Sequence, residues 1–194
     1  MPSFLENLWR LATSTTPAPT PITSSSTPSP IPPPSTSTTL GPGKRATACI
    51  SLIIELEGGY VNDPLDPGGE TNYGISKRAY PSVDIKGLTP ASASQIYYQD
   101  YWLPAHAHEL PQPLDLFVFD CAVNQGVFAA VTILQDLCKV GVDGVMGPAT
   151  IAAAQSLAAH TYLTARALKY ATLTGFLRYG KGWYNRLFKV ALAS

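Results

Sequence analysis

From residue 46 onward, apolar side chains recur at helical spacing; before that point they barely recur at all. "ATACISLIIELE" (46–57) places Ile50, Ile53, Ile54 and Glu57 on one stripe at i, i+3, i+4 and i+7, which predicts an amphipathic helix. Gly58-Gly59 stops it. Residues 60–76 carry turn formers, Asn62-Asp63-Pro64 and Asp66-Pro67-Gly68-Gly69, around short β-prone pieces, and predict a small irregular hairpin. "TPASASQIYYQDYWL" (89–103) opens with a Thr cap and Pro at the first helical position, then runs on amphipathically. "LDLFVFDCAV" and "VFAAVTILQDLC" are apolar nearly all round and predict the central buried helices. "GPATIAAAQSL", "YLTARALKYATLTGFLRY" and "WYNRLFKVAL" add three more helical stretches. There is no internal repeat, no βαβ rhythm and no phosphate-binding glycine loop. The predicted class is mainly α, a helical core with a small irregular β-hairpin after the first helix.

The first 45 residues behave differently. Residues 13–43 are almost entirely Ser, Thr and Pro, and such a segment buries too little apolar surface to offset its ordering entropy. They read as a disordered tail and linker, with a short helix over 3–12 as one alternative to a frayed end. Residues 46–194 read as one folded body. No apolar run reaches the roughly 18 residues of a membrane span. The start lacks a basic n-region and Glu6 interrupts its apolar stretch, so no signal peptide is recognised. Without one, the expectation is cytoplasmic accumulation until some later release.

Charge changes the picture. Only 13% of residues are charged and the formal net charge is zero, yet the halves differ. Residues 47–138 carry three Lys/Arg (Lys77, Arg78, Lys86) against eleven Asp/Glu; residues 139–194 carry seven against Asp143 alone. A basic second half suits an anionic partner, or simply supplies charge to helix surfaces. Cys49, Cys121 and Cys138 have no metal-ligand spacing and sit among apolar neighbours, as buried free thiols would. His106 and His108 lack a third ligand at metal spacing, so neither metal nor other cofactor is expected.

Residues 55–76, "ELEGGYVNDPLDPGGETNYGIS", crowd five acidic side chains and five glycines into 22 positions. Glu57 shares the Ile50/Ile53/Ile54 face, so its carboxyl points to the core side. It also lies in the last turn, where the helix dipole disfavours negative charge. Both effects favour the neutral acid and suit a general acid. The competing reading is a C-terminal carboxyl reaching out to water. Glu55 faces solvent. Asp66, nine positions on, is a candidate second carboxylate, with Asp63 as its rival; both also suit turns that bond their own backbone. Paired carboxylates flanking a glycosidic bond carry out most sugar hydrolysis. A calcium loop fits poorly, because Leu65 stands where a ligand is needed.

This stretch resembles the opening motif of the glycoside hydrolase family 108 muramidases, found among phage endolysins and bacterial wall-remodelling or secretion-assisting enzymes. The likeness continues through "YYQDYW", "FDCAVNQG" and "LQDLCKVGVDGVMGPAT" to "GWYNR", over residues 48–188. It implies a lysozyme-like α+β fold, a monomer, and cleavage of the β-1,4 bond between N-acetylmuramic acid and N-acetylglucosamine in peptidoglycan. It puts the catalytic glutamate on Glu57. A fainter similarity to the Glu-x8-Asp-x5-Thr signature of phage-type lysozymes falls on Glu57, Asp66 and Thr71, with the Thr one residue early. "VGVDGVMGPAT" resembles a peptidoglycan-binding helical module, implying such a part within 139–194. Gly141, Gly144 and Gly147 equally describe a compact turn before a Pro-initiated helix.

Other candidates for substrate contact are Tyr60, Asn72, Tyr73, Trp102, Asn124 and Gln125. Tyr60, Tyr73, Tyr98 and Trp102 offer rings for sugar stacking, although aromatics at i, i+4 also build cores. Asn124-Gln125-Gly126 interrupts an apolar helix, and its amides need either glycan or protein partners. The rival functions are a wall-binding or secretion-assisting module without catalysis, and the same chemistry on chitin. Neither nucleic acid nor a membrane span is expected as a partner.

Overall fold

A computed structural model of the chain describes residues 41–62 and 69–194. The elements run α1 (Lys44–Glu57), β1 (Thr71–Asn72), β2 (Ile75–Ser76), α2 (Pro90–Tyr97), a π-helical turn (Tyr98–Trp102), a 3₁₀ turn (Ala107–Glu109), α3 (Leu114–Gln125), α4 (Val127–Cys138), α5 (Pro148–Ala154), α6 (Ala159–Ala171) and α7 (Phe176–Leu192). The spacer and the short 3–12 helix, together with Asp63 and Asp66, lie outside the described residues.

Helix α3 is the axis of the core. Every residue from Leu114 to Asn124 is buried, and α4, α6, α7 and both short helical turns pack around it. Burial of a full helix surface is what an all-round apolar sequence requires. Its twin, α4, departs from expectation. Only Ala130, Val131, Leu134 and Gln135 are buried there, and Phe128 is 67% exposed. Apolar content alone overstates its burial, since Phe128 and Asp136 stay exposed although α3, α5 and α6 pack on the helix.

Helix α1 buries Ala46, Cys49, Ile50, Ile53 and Ile54. Its start is fixed to α3 by a two-pronged ion pair: Arg45 Nε and Nη2 donate to Asp115 Oδ2 and Oδ1 at 2.7 and 2.9 Å. Gly58, at φ 86°, ends the helix in a backbone region that side chains avoid. Thr89 caps α2 through a reciprocal box with Ser92, and Pro90 takes the first helical position. The run predicted as one helix over 89–103 widens into π-helical geometry at Tyr98, which turns Trp102 inward. The single stretch read over "YLTARALKYATLTGFLRY" is two helices. It breaks at Thr172–Gly175, and α7 then runs through Gly180 and on to Leu192. Gly180 does not break it, since the Phe176 ring lies where a Cβ would stand, 2.6 Å from the nearest ring carbon.

The hairpin is minimal: Thr71 pairs with Ser76, Asn72 with Ile75, and Val61 bridges to Thr71. Its two-residue turn, Tyr73-Gly74, has φ of 50° and 76°. Two positive φ values are the signature of the tight turns whose twist matches antiparallel strands.

The glycine-rich "VGVDGVMG" loop is organised from α4. Gln135, 1% exposed, donates to Asp143 Oδ1 (2.7 Å) and the Val145 carbonyl (3.0 Å), and accepts from the Asp143 and Gly144 amides (3.1 and 2.9 Å). The structural reading of this motif is therefore satisfied within the chain. Replacing Gln135 with Ala removes four part-buried hydrogen bonds that hold the loop, each worth about 0.5–1.5 kcal/mol. The expected outcome is a lower unfolding midpoint, with loss of hydrogen-exchange protection confined to the Asp143–Val145 amides.

Candidate active site

The apolar stripe of α1 carries Glu57 inward. Its side chain is 0% exposed, although the helix end beneath it is half-exposed. Oε1 accepts from Arg186 Nη1 at 2.6 Å. Arg186 Nε in turn donates to Asp120 Oδ1 at 2.8 Å, and Arg166 Nη1 donates to Asp120 Oδ2 at 2.7 Å. Arg166 Nη2 donates to the Tyr170 hydroxyl (3.0 Å), which donates to Asn124 Oδ1 (2.5 Å). Two carboxylates and two guanidiniums thus alternate through the interior, joining α1, α7, α3 and α6. Helical register explains the fit. Asp120 and Asn124 sit one turn apart on α3 and face Arg166 and Tyr170, one turn apart on α6.

Burial pushes the Glu57 carboxyl above its ordinary range, while the Arg186 charge pulls the other way and Asp120 adds to the rise. Asp120 behaves oppositely. Burial also acts to raise it, but the charges of Arg186 and Arg166 prevail and hold it low. One acid is therefore kept ionised and the other is biased towards neutrality, two environments within one network.

Glu57 Oε2 has no hydrogen-bond partner among the described residues. It lies beneath the hairpin turn. A Cβ on Gly74 would stand 2.9 Å from Oε2, 2.8 Å from Glu57 Cγ and 2.7 Å from the Tyr97 hydroxyl, so only glycine fits. Tyr97, itself buried, donates to the Tyr73 carbonyl at 2.7 Å and holds the turn in place.

The remaining candidates scatter. Thr71 is buried in β1, beside the turn, and exchanges both backbone bonds with Val61 at 2.8 Å. Asn72 is a clamp: its amide donates to the Ile85 carbonyl at 3.1 Å and, more weakly, to that of Leu88. Tyr60 is exposed and donates to Glu70 Oε2 at 3.0 Å. Tyr73 is half-buried at the turn. Trp102 stands in the core, edge-on to Phe119, with no ring face open to a sugar. Burial was the deciding force there, and the π-helical turn its cause. Asn124 belongs to the charge network, and Gln125 accepts from the Cys121 thiol at 3.3 Å. Asp66 and Asp63 lie outside the described residues. All three cysteines are free, Cys138 half-buried.

Periodicity and motif do not single out Asp120, Arg166 or Arg186, and they give the second-half basicity to an anionic partner or to helix surfaces. Two of those seven cations are buried instead. A signal existed: Trp183, Arg186, Leu187 and Val190 follow the same i, i+3, i+4, i+7 stripe that singled out Glu57.

The sequence profile described as Glycosyl hydrolase 108 matches residues 50–126. The solved structure of Brucella abortus SagA is 33% identical, with a TM-score of 0.69, over 77% of this chain and 93% of that one. No curated protein sequence matches. The profile match contains Glu57 and Asp120 but stops before both arginines that bind them.

Neutralising Asp120 tests how far the network depends on it. In Asp120→Asn, two buried guanidiniums lose their shared counter-charge, and breaking a buried pair from one side costs about 3–5 kcal/mol. Chemical denaturation should show a loss of that order, larger than for Glu57→Gln, which replaces a carboxyl already biased towards neutrality at the end of the network.

Proposed function

Because the chain belongs to the glycosyl hydrolase 108 family, with a mainly α, lysozyme-like fold, we propose that it is a peptidoglycan muramidase with Glu57 as general acid. The bond cleaved is the β-1,4 link between N-acetylmuramic acid and N-acetylglucosamine. The observation that carries the reading is the state of the Glu57 carboxyl: Oε1 is bound by Arg186, whereas Oε2 is buried with no partner among the described residues. An acid held by one oxygen keeps the other for the proton it gives to the departing glycosidic oxygen. Burial keeps that proton on at a pH where an exposed carboxyl has lost it. The Tyr73-Gly74 turn covers Oε2, so a glycan strand reaches it by displacing or lifting the turn.

In this reading Asp66, or Asp63 in its place, supplies the second carboxylate, which positions water or offsets positive charge on the sugar ring. Thr71 lies in the strand that leads into the turn, and Tyr73 is the turn's first residue, next to Gly74 over Glu57 Oε2. The outward-facing cations of the C-terminal helices, among them Arg178, Lys181 and Lys189, are the part that meets the anionic wall.

Glu57→Gln should keep the fold, judged by its circular-dichroism melt, and release no reducing ends from purified peptidoglycan. Release at the wild-type rate would exclude Glu57 as the acid. The pH profile supplies a separate check. A general acid is active while protonated, and a raised carboxyl stays protonated to higher pH. The alkaline limb of kcat/KM should therefore lie above the ordinary carboxyl value of 4.5. A limb at or below that value would mean the burial has no catalytic consequence.

A further inference from the structure

The sequence placed His106 and His108 without a third ligand, and the fold corrects this. Glu109 begins as a neighbour in sequence and becomes the convergence point of both imidazoles. His106 Nδ1 lies 2.6 Å and His108 Nε2 3.6 Å from the same oxygen, Glu109 Oε1. The cause is local. Residues three apart eclipse in a 3₁₀ turn, which brings His106 and Glu109 to one side. His106 enters the turn in the left-handed conformation, φ 47° and ψ 35°. Ala105, Ala107 and Leu110 are buried, which leaves His106, His108 and Glu109 standing together on the outer side. The backbone beneath is anchored from α5, where Gln155 Nε2 donates to the Glu109 carbonyl at 2.9 Å.

We infer that His106, His108 and Glu109 form a surface site for a divalent transition-metal ion of the zinc type. One donor atom from each residue lies within 4.8 Å of the others, with no ion present. Imidazole and carboxylate ligands bind Zn²⁺ at about 2.0–2.2 Å, so tetrahedral ligands stand roughly 3.3–3.5 Å apart. The 2.6 and 3.6 Å separations bracket that figure, and small side-chain rotations open the first and close the second. Two imidazoles and one carboxylate select borderline ions over Ca²⁺ or Mg²⁺, which prefer all-oxygen shells. The three side chains are 39–49% exposed, so the remaining coordination position faces water and is open to an external ligand. A bound ion would fasten the segment between the π-helical turn and α3.

The test is calorimetric titration of Zn²⁺ into the full chain, prepared without a histidine tag. The wild type is expected to take up one equivalent through this site, with an unfolding midpoint raised by about 5–10 °C at a hundredfold excess over Kd. The double substitution His106→Asn, His108→Ala should weaken that uptake at least tenfold. Asn tolerates the left-handed backbone at 106, so this variant should melt at the wild-type temperature without metal. Glu109→Gln should weaken binding to an intermediate degree. Absence of stoichiometric uptake by the wild type, or unchanged affinity in the double variant, overturns the assignment; in the latter case the ion sits elsewhere, for example at Cys138.

Discussion

One carboxylate, Asp120, holds the interior of this protein in register. It lies on α3, against which α4, α6, α7 and both short helical turns pack, and is fully buried. An isolated ionised carboxylate is not tolerated in such a place. It exists because Arg166 arrives from α6 and Arg186 from α7, one to each oxygen. Two buried guanidiniums around one carboxylate would still leave an excess positive charge. Glu57, at the end of α1, gives Arg186 a further hydrogen-bond acceptor, and that residual positive charge is what pulls against burial at its carboxyl. Four helices are thereby tied by a chain of charges in which each member requires the next. Buried ion pairs are weak devices for net stability, because desolvation takes back most of the attraction. Their effect here is positional: they match Asp120 on α3 to Arg166 on α6 and Arg186 on α7, and Arg186 to Glu57 on α1.

That arrangement also sets the chemistry of Glu57. A guanidinium at 2.6 Å would ordinarily make a carboxyl a strong acid. It fails to do so here, because burial opposes the charged form and because Arg186 also serves Asp120, whose negative charge works against ionisation of Glu57. Arg186 therefore orients the carboxyl without fully claiming its proton. Gly74 has a complementary part. Its missing side chain lets the hairpin turn close on Oε2, so water is kept from the one oxygen that lacks a partner.

Much of this was legible in the sequence, because single-helix periodicity is a local signal. The stripe from Ile50 to Glu57, the Gly58 stop, the Thr89-Pro90 start and the buried run of α3 all depend on neighbours within a turn or two. The failures share a cause as well. Arg166 and Arg186 looked like solvated surface because their partners lie 46 and 66 residues away, on Asp120. The break at Thr172 carries no proline, and the widening at Tyr98 depends on where Trp102 can be buried against Phe119. The convergence of His106, His108 and Glu109 needed a 3₁₀ turn that sequence spacing does not announce. Position in the fold, rather than residue type, decided each of these.

The same geometry bears on how the C-terminal part is to be understood. A module that only holds the wall could be exchanged or removed, as a domain strung on a linker can. Helices α6 and α7 cannot be treated so, since they bring Arg166 to Asp120 and Arg186 to Glu57. Nor is the "VGVDGVMG" loop free to read a ligand with its backbone, because Gln135 already occupies the Asp143 and Gly144 amides. The outward side of α7 carries Arg178, Lys181 and Lys189, all exposed. Helix α7 thus has two faces: Arg186 binds Glu57 from within, and these three cations are exposed on the outer one.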